Sequence, residues 1–267
     1  MVKIIKEQCI GCGQCINDCF AKNITMIERK ASIKGSCMEC GHCFAICPVG
    51  AVQMDDVTLG GVVDFSKEAR PRIDSTTLLN YIKARRSIRQ YKDKLVPKEI
   101  IEHILEAGRF TPTGCNAQDV SYTVVQEHLK DVKEAFWKGF PDGLKVAQQK
   151  YGINNKLMGT LERLYSEYHE NPVNDGLFFK APVLLIISSP SVFHAGLAAS
   201  NIELMACSEG LGALYSGFIR IFLSSNRALC DELHLKPENI CACMLMGYPD
   251  VHFQRTAPKR EAAIQWV

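Results

Sequence analysis

The chain has 267 residues, 47% of them hydrophobic, and a formal net charge of +2. That length carries a core and one or two domains, and the near-neutral balance speaks against a basic nucleic-acid binder. The 13 cysteines are odd in number, which argues against a closed disulfide framework. The start MVKIIKEQCI has no signal-peptide apolar region, and no apolar run reaches the roughly eighteen residues of a membrane span. A soluble chain in a reducing, cytoplasmic compartment is expected, with no nucleic-acid or membrane partner.

Residues 1–58 are short segments broken by glycine and cysteine. CIGCGQCINDCFAKNITM is echoed by CMECGHCFAICPVGAVQM. Each copy puts an apolar segment, Ile24–Ile27 or residues 51–54, after four cysteines, which reads as an internal duplication. Within each copy three thiols recur at a spacing of three and a fourth follows four residues later. A tight loop presents three thiols to one cubic cluster and leaves the fourth beyond its reach, which an exchange of fourth ligands solves. The expected sets are Cys9, Cys12, Cys15 and Cys47 on one 4Fe–4S cluster, and Cys37, Cys40, Cys43 and Cys19 on a second. Structural zinc, which favours separated pairs around one tetrahedral ion, and plain packing are the alternatives. With Pro48 completing a Cys-Pro signature, these residues resemble the two-cluster bacterial ferredoxin module. The resemblance implies one-electron transfer.

LGGVVDFSKEARPRIDS has neither helical nor strand periodicity, and its Gly60-Gly61 and Pro71 make residues 59–73 a connector. From residue 74 the pattern changes, and 74–267 is expected to form a second domain. STTLLNYIKARRS is helical. PKEIIEHILEAGRF starts a helix at Pro97 and puts Ile100, Ile101, Ile104 and Leu105 on one face. SYTVVQ (121–126), PVLLIISS (182–189) and ICACMLMG (240–247) read as strands. Residues 139–180 read as long and irregular, a lid or a partner-facing passage. HAGLAASNIELMACSEG holds a long buried helix ending near Gly210, and SSNRALCDEL a further one. Many helices with few strands imply a layered α+β domain, its central sheet mostly antiparallel.

KARRSIRQYKDK carries six basic residues against one acid. Such a run is either a solvated face or a phosphate grip, since guanidinium groups bind phosphate in bidentate fashion and a serine hydroxyl adds one bond. Arg85, Arg86, Ser87 and Arg89 are the candidates. RRSIRQY followed by PTGCNAQ (112–118) is similar to the flavin-dependent nitroreductase family, whose opening motif binds FMN phosphate and ribityl. The second family motif, Pro-Ser-x-x-Asn-x-Gln-Pro-Trp, is matched by Pro112, Thr113, Gly114, Asn116 and Gln118, with Asp119-Val120 in place of Pro-Trp. Gly114 and Cys115 then mark the substrate pocket. The resemblance also assigns Ser208, Glu209 and Gly210 to the flavin edge, and Lys259 and Arg260, with Arg255, to the phosphate. Gly210 alone also reads as a helix end, and the basic tail as frayed.

The resemblance implies an FMN-dependent oxidoreductase and a homodimer with FMN at the subunit interface. The acceptor would be a nitroaromatic, quinone or enone. Electrons would come through the two clusters from an external ferredoxin or flavodoxin, or from NAD(P)H as co-substrate. No side chain is assigned a catalytic role, because the flavin carries the chemistry. The alternative is an electron-transfer protein that passes electrons between ferredoxin and a protein partner.

Overall fold

Short apolar triplets and quartets between glycines support only short elements, and these build the N-terminal part. A computed structural model describes residues 2–54, 61–66, 69–152 and 154–267. The chain divides into two units, Met1–Arg72 with Thr113–Ala117, and Ile73–Pro112 with Gln118–Val267.

The first unit runs β1 (Val2–Ile4), α1 (Gln14–Asp18), β2 (Ile24–Ile27), β3 (Lys30–Ile33), α2 (His42–Ile46) and β4 (Val52–Met54). β1 pairs antiparallel with β4, Val2 facing Met54, and β2 with β3, Ile24 facing Ile33. Glu28 and Arg29 join β2 to β3 with positive φ at both (49° and 63°), the geometry whose twist matches a two-residue hairpin. Gly13 and Gly41 precede α1 and α2 in the same left-handed conformation, φ 79° and 76°. The sequence duplication is therefore a backbone duplication. Cys9, Ile24, Ala31 and Ala51 form the buried centre, with Cys15, Cys19, Cys43 and Cys47 packed against it.

The expectation of a ferredoxin-like two-cluster domain over residues 1–58 is corrected. Two separate two-stranded ladders and two five-residue helices pack around a small apolar centre. Among the described residues no group of three or more Cys, His, Asp or Glu is arranged to hold a metal ion. Residues 55–58 of that range lie outside the described residues.

The second unit opens with α3 (Ser75–Ala84), where the Asp74 carboxylate accepts the Thr77 N–H at 2.8 Å, an N-cap. α4 (Lys98–Arg109) follows Pro97 and buries Ile101 and Ile104. Then come β5 (Ser121–Val125), α5 (Leu129–Lys138), α6 (Phe140–Tyr151), α7 (Asn155–Glu170), β6 (Val183–Ser188), α8 (Val192–Ser208), β7 (Gly212–Tyr215), α9 (Gly217–Ser225), α10 (Arg227–Glu232) and β8 (Ile240–Gly247). The sheet order is β5-β6-β8-β7, and every neighbouring pair is antiparallel.

Every residue of β6 is buried, so its unbroken apolar run serves two faces. Leu184 and Ile186, with Cys243 and Leu245 of β8, face an aromatic core. Val183, Leu185 and Ile187, with Met244 and Met246, face Ile104 of α4 and Ala199 and Ile202 of α8. The result is the layered α+β domain expected from the pattern.

Residues 139–180 are not irregular; they hold α6 and α7. Aromatic side chains stack between α5, α6 and α7. Trp137 lies on Tyr168 with centroids 4.7 Å apart, and Phe140 on Tyr165 at 5.5 Å. The breakers in this stretch mark helix ends instead: Pro141 sits in the first turn of α6, and Gly152 ends that helix in the left-handed region, a position natural to each residue type.

Gly212 sits where a Cβ would lie 2.2 Å from Ile88 Cγ1 and 3.1 Å from Pro249 Cγ. Replacing Gly212 with Ala should lower the unfolding free energy by about 1–3 kcal/mol through overpacking. Denaturant unfolding measures it, and a change within error would remove the close approach as a constraint.

Candidate cofactor site

RRSIR leaves the end of α3 and runs along the outer edge of β7. Ser87 bridges Ala213 in parallel, and the Ile88 N–H donates to the Ala213 carbonyl at 3.0 Å. Further on, Lys92 donates to Tyr248 and Asp250 donates back to Gln90, each at 2.9 Å. The Tyr91 hydroxyl donates to the Ile88 carbonyl at 2.9 Å, and burial pushes that hydroxyl well above its usual range. Ile88 is buried between the exposed Ser87 and Arg89, because extended backbone alternates its side chains; Tyr91, beyond the exposed Gln90, is buried as well.

The three arginines differ in their surroundings. Arg85 Nη1 donates to Glu203 Oε1 at 2.5 Å. Arg86 is half-buried with its guanidinium 5.1 Å from the Phe253 ring centroid, a cation–π contact. Its Nε is buried with no hydrogen-bond partner. Arg89 is exposed and forms no ion pair among the described residues. An unmet guanidinium N–H beside a serine and a free arginine fits an anionic group such as the FMN phosphate.

The segment expected at the flavin edge is a helix end. The Leu211 N–H donates to Ala206 and the Gly210 N–H to Cys207, at 2.9 and 3.1 Å, with Gly210 at φ 74°. That pair of bonds is a Schellman cap. The Glu209 N–H donates to Met205 at 3.1 Å, so all three backbone donors are used inside the cap. The Ser208 hydroxyl donates to the Met205 carbonyl at 2.7 Å. The Glu209 carboxylate pairs with His103 Nδ1 at 2.6 Å. Ser208 also lines an apolar cavity of about 450 Å³ with Leu78, Tyr81, Leu204 and Met205.

Within the second unit the β7 edge thus brings RRSIR beside the GLGAL stretch, and Phe253 beside Arg86. Pro112 closes the segment after Thr111, whose hydroxyl accepts from Asn201 at 2.9 Å. Lys259 and Arg260 lie on an exposed stretch without helix or strand, as does Arg255. Thr113, Gly114, Cys115 and Asn116 group with the first unit. There the Asn116 amide donates to the carbonyls of Glu39 and Met38, at 3.0 and 3.4 Å. Sequence reasoning missed Glu203, His103 and Phe253. Glu203 had a signal, an acid inside the otherwise apolar run of α8.

The eight thiols group as their spacing implies but do not form metal centres. Cys9, Cys12, Cys15 and Cys47 line one small cavity, and Cys19, Cys37, Cys40 and Cys43 another. Backbone N–H groups donate to sulfur from Ala31 to Cys9 (3.4 Å), Glu39 to Cys37 (3.3 Å) and Ala51 to Cys47 (3.2 Å). Bonds from the Ala31 and Gly11 N–H groups hold the Cys9 thiol below its usual value. Burial pushes Cys15 and Cys43 up, with neighbouring thiols adding to it. No set of three or more is placed to hold a metal ion among the described residues. The expected 4Fe–4S clusters, and the relay through them, are corrected on that geometry.

The profile of the nitroreductase family matches residues 82–248, more than half of the chain. The chain belongs to the nitroreductase family. A second profile, the 4Fe-4S dicluster domain, matches residues 1–48; there the sequence carries a signature whose ligand geometry the structure does not assemble. An NADPH-dependent oxidoreductase of Staphylococcus haemolyticus is 23% identical over 164 residues, 59% of each chain. The chain spans 63% and 59% of the lengths of the two curated relatives it matches. Its nitroreductase fold is shared with solved structures. One, from Bacteroides fragilis with bound FMN, has a TM-score of 0.57 at 23% identity, covering 71% of this chain and 98% of that one. Another, an FMN-dependent nitroreductase of Clostridium difficile, has a TM-score of 0.52 at 20% identity, covering 72% and 100%.

A Cβ at Gly210 would meet nothing within 4 Å, so only the left-handed backbone resists a side chain. Gly210→Ala should lower stability by about 1 kcal/mol, and Gly210→Asn by less. Equal stability of all three proteins in urea unfolding would show that the cap does not need glycine.

Proposed function

We propose that this nitroreductase-family chain is an FMN-dependent oxidoreductase that reduces a small organic acceptor of the nitroaromatic, quinone or enone type. The observation that carries the reading is the buried, unpartnered Arg86 Nε, in a segment that also presents Ser87 and Arg89 to solvent. A buried donor without a partner is costly, and a phosphate ester relieves that cost. Bound FMN in similar folds supports the identity of the ligand.

Arg85, Arg86, Ser87 and Arg89 would bind the phosphate, with Lys259 and Arg260 of the C-terminal stretch adding charge. When bound, the flavin supplies hydride or single-electron transfer at its ring. The protein's part is to anchor the phosphate and to hold the α8 end rigid through its cap. Reduced nicotinamide is the proposed donor, on the strength of the Staphylococcus relative's name.

A homodimer belongs to the same reading, supported by the exposed Leu78, Leu79 and Ile82 on one helix. Among the described residues no helix is long and apolar enough to cross a membrane, which accords with a cytoplasmic location.

Two measurements test the function. The full-length protein should bind FMN and oxidise NADPH or NADH with a nitroaromatic acceptor. Arg86→Ala should weaken FMN about tenfold or more, the equivalent of one charge-assisted bond. No FMN binding, or an Arg86→Ala protein with unchanged affinity, would remove the phosphate grip.

A further inference from the structure

Glu203 is 4% exposed and lies in α8 beside the buried Ile202 and Ala206. An acid in such a helix face is unfavourable unless it is paired. Its Oε1 takes the Arg85 Nη1 donor at 2.5 Å, and the Arg85 side chain is 36% exposed. One carboxylate therefore joins two elements, the α3 end at Arg85 and the middle of α8. A guanidinium has five N–H donors. Spending one on Glu203 leaves others for an anion and removes much of the side chain's freedom in advance.

We propose that Glu203 is a positioning residue that fixes the Arg85 guanidinium for a phosphate monoester, and so sets the preference of this site for FMN over the same flavin without phosphate. The proposal rests on RRSIR being the phosphate grip and adds the residue that holds it in place. Glu203 does not touch the ligand; it acts through Arg85. Two consequences separate this from a plain structural ion pair. Loss of Glu203 should affect the phosphorylated ligand and spare the unphosphorylated one. It should also add nothing once Arg85 is gone.

The experiment is a fluorescence titration of the full-length apoprotein with FMN and with riboflavin. Wild type should prefer FMN. Glu203→Gln should bind FMN about tenfold more weakly, the worth of one charge-assisted bond, with riboflavin affinity unchanged. Arg85→Ala with Glu203→Gln should show the same FMN-to-riboflavin ratio as Arg85→Ala alone. A Glu203→Gln protein that keeps the wild-type ratio while Arg85→Ala loses it overturns the positioning role and leaves the grip intact. Equal weakening of both ligands with a lowered melting temperature overturns it in favour of a structural pair. A wild type that binds both flavins equally overturns the grip itself, and this proposal with it. Should Glu203→Gln fail to fold, Arg85→Lys reads the same coupling. Lysine satisfies Glu203 as a point charge but lacks the second donor edge, so the fold should hold and the FMN preference fall; a retained preference overturns the proposal.

Discussion

The close approach of Ile88 to Gly212 governs the arrangement of the candidate site. Only a residue without a Cβ lets the Ile88 side chain lie this near the start of β7. The Ile88 N–H then reaches the Ala213 carbonyl, and the extended segment gains a fixed register on the sheet edge. Once that register is set, alternation decides the rest. Ile88 turns inward, while Ser87 and Arg89 turn outward. Ladder pairing of this kind specifies which face each side chain takes, because a one-residue slip would invert them all. The same segment closes the edge of β7, which would otherwise expose unpaired backbone groups.

Behind that edge stands a sheet buried on both faces. β6 and β8 contribute alternate residues to two cores, one aromatic and one shared with α4 and α8. Rigidity of this kind matters to a binding segment, since a grip on phosphate is only as well placed as the elements that carry it. The aromatic side is held by rings in mutual contact. Phe136 meets Phe178 edge-on at 5.1 Å, and Phe140 meets Phe222 at 4.3 Å. α8 is the opposite wall, and its small residues Ala195, Ala198, Ala199 and Ala206 are all buried, which lets its backbone lie close to the sheet.

The strands were legible because continuous apolar runs of β-branched and aliphatic residues have few other uses, and β5, β6 and β8 lie where those runs stand. α4 was legible from its apolar spacing. α6 and α7 were not, because glycine, proline and asparagine between residues 139 and 154 suggested breaks, whereas the structure uses them at helix ends. α9 was missed for a different reason. Its buried Ile219, Phe222 and Leu223 do stand at helical spacing, but Phe218 and Ile221 put apolar side chains beside that face and blur the period. RRSIR stood out in the sequence as a basic motif, but its position beside β7 did not, since that depends on a glycine more than a hundred residues away in the chain. The cysteines show the converse. Their repeat reads as a duplication, and the backbone repeats with it, a left-handed glycine preceding each short helix. Spacing alone did not place the sulfurs as a metal-holding set among the described residues.

The second unit contains two acids of nearly equal burial, and their surroundings differ in kind. Asp175, with its side chain 5% exposed, pairs with Lys133 at 3.0 Å. Its other oxygen accepts the Phe178 N–H at 3.0 Å. Lys133 also lies 5.2 Å from the Phe178 ring centroid. One oxygen of that acid therefore closes the turn between α7 and β6, and the other ties that turn to Lys133 of α5, so the packing of these elements accounts for it. Glu203 is equally buried, yet it sits in the middle of a helix whose own backbone groups are satisfied without it. It caps nothing and closes no turn. A hydrophobic residue of similar volume would serve the packing of α8 as well or better, since isolated buried ion pairs are often no more stabilising than apolar replacements. What such a replacement could not do is hold a charged side chain two residues before Ser87 in one orientation. The different surroundings of these two acids separate a charge that the fold uses for itself from one whose use lies at the β7 edge.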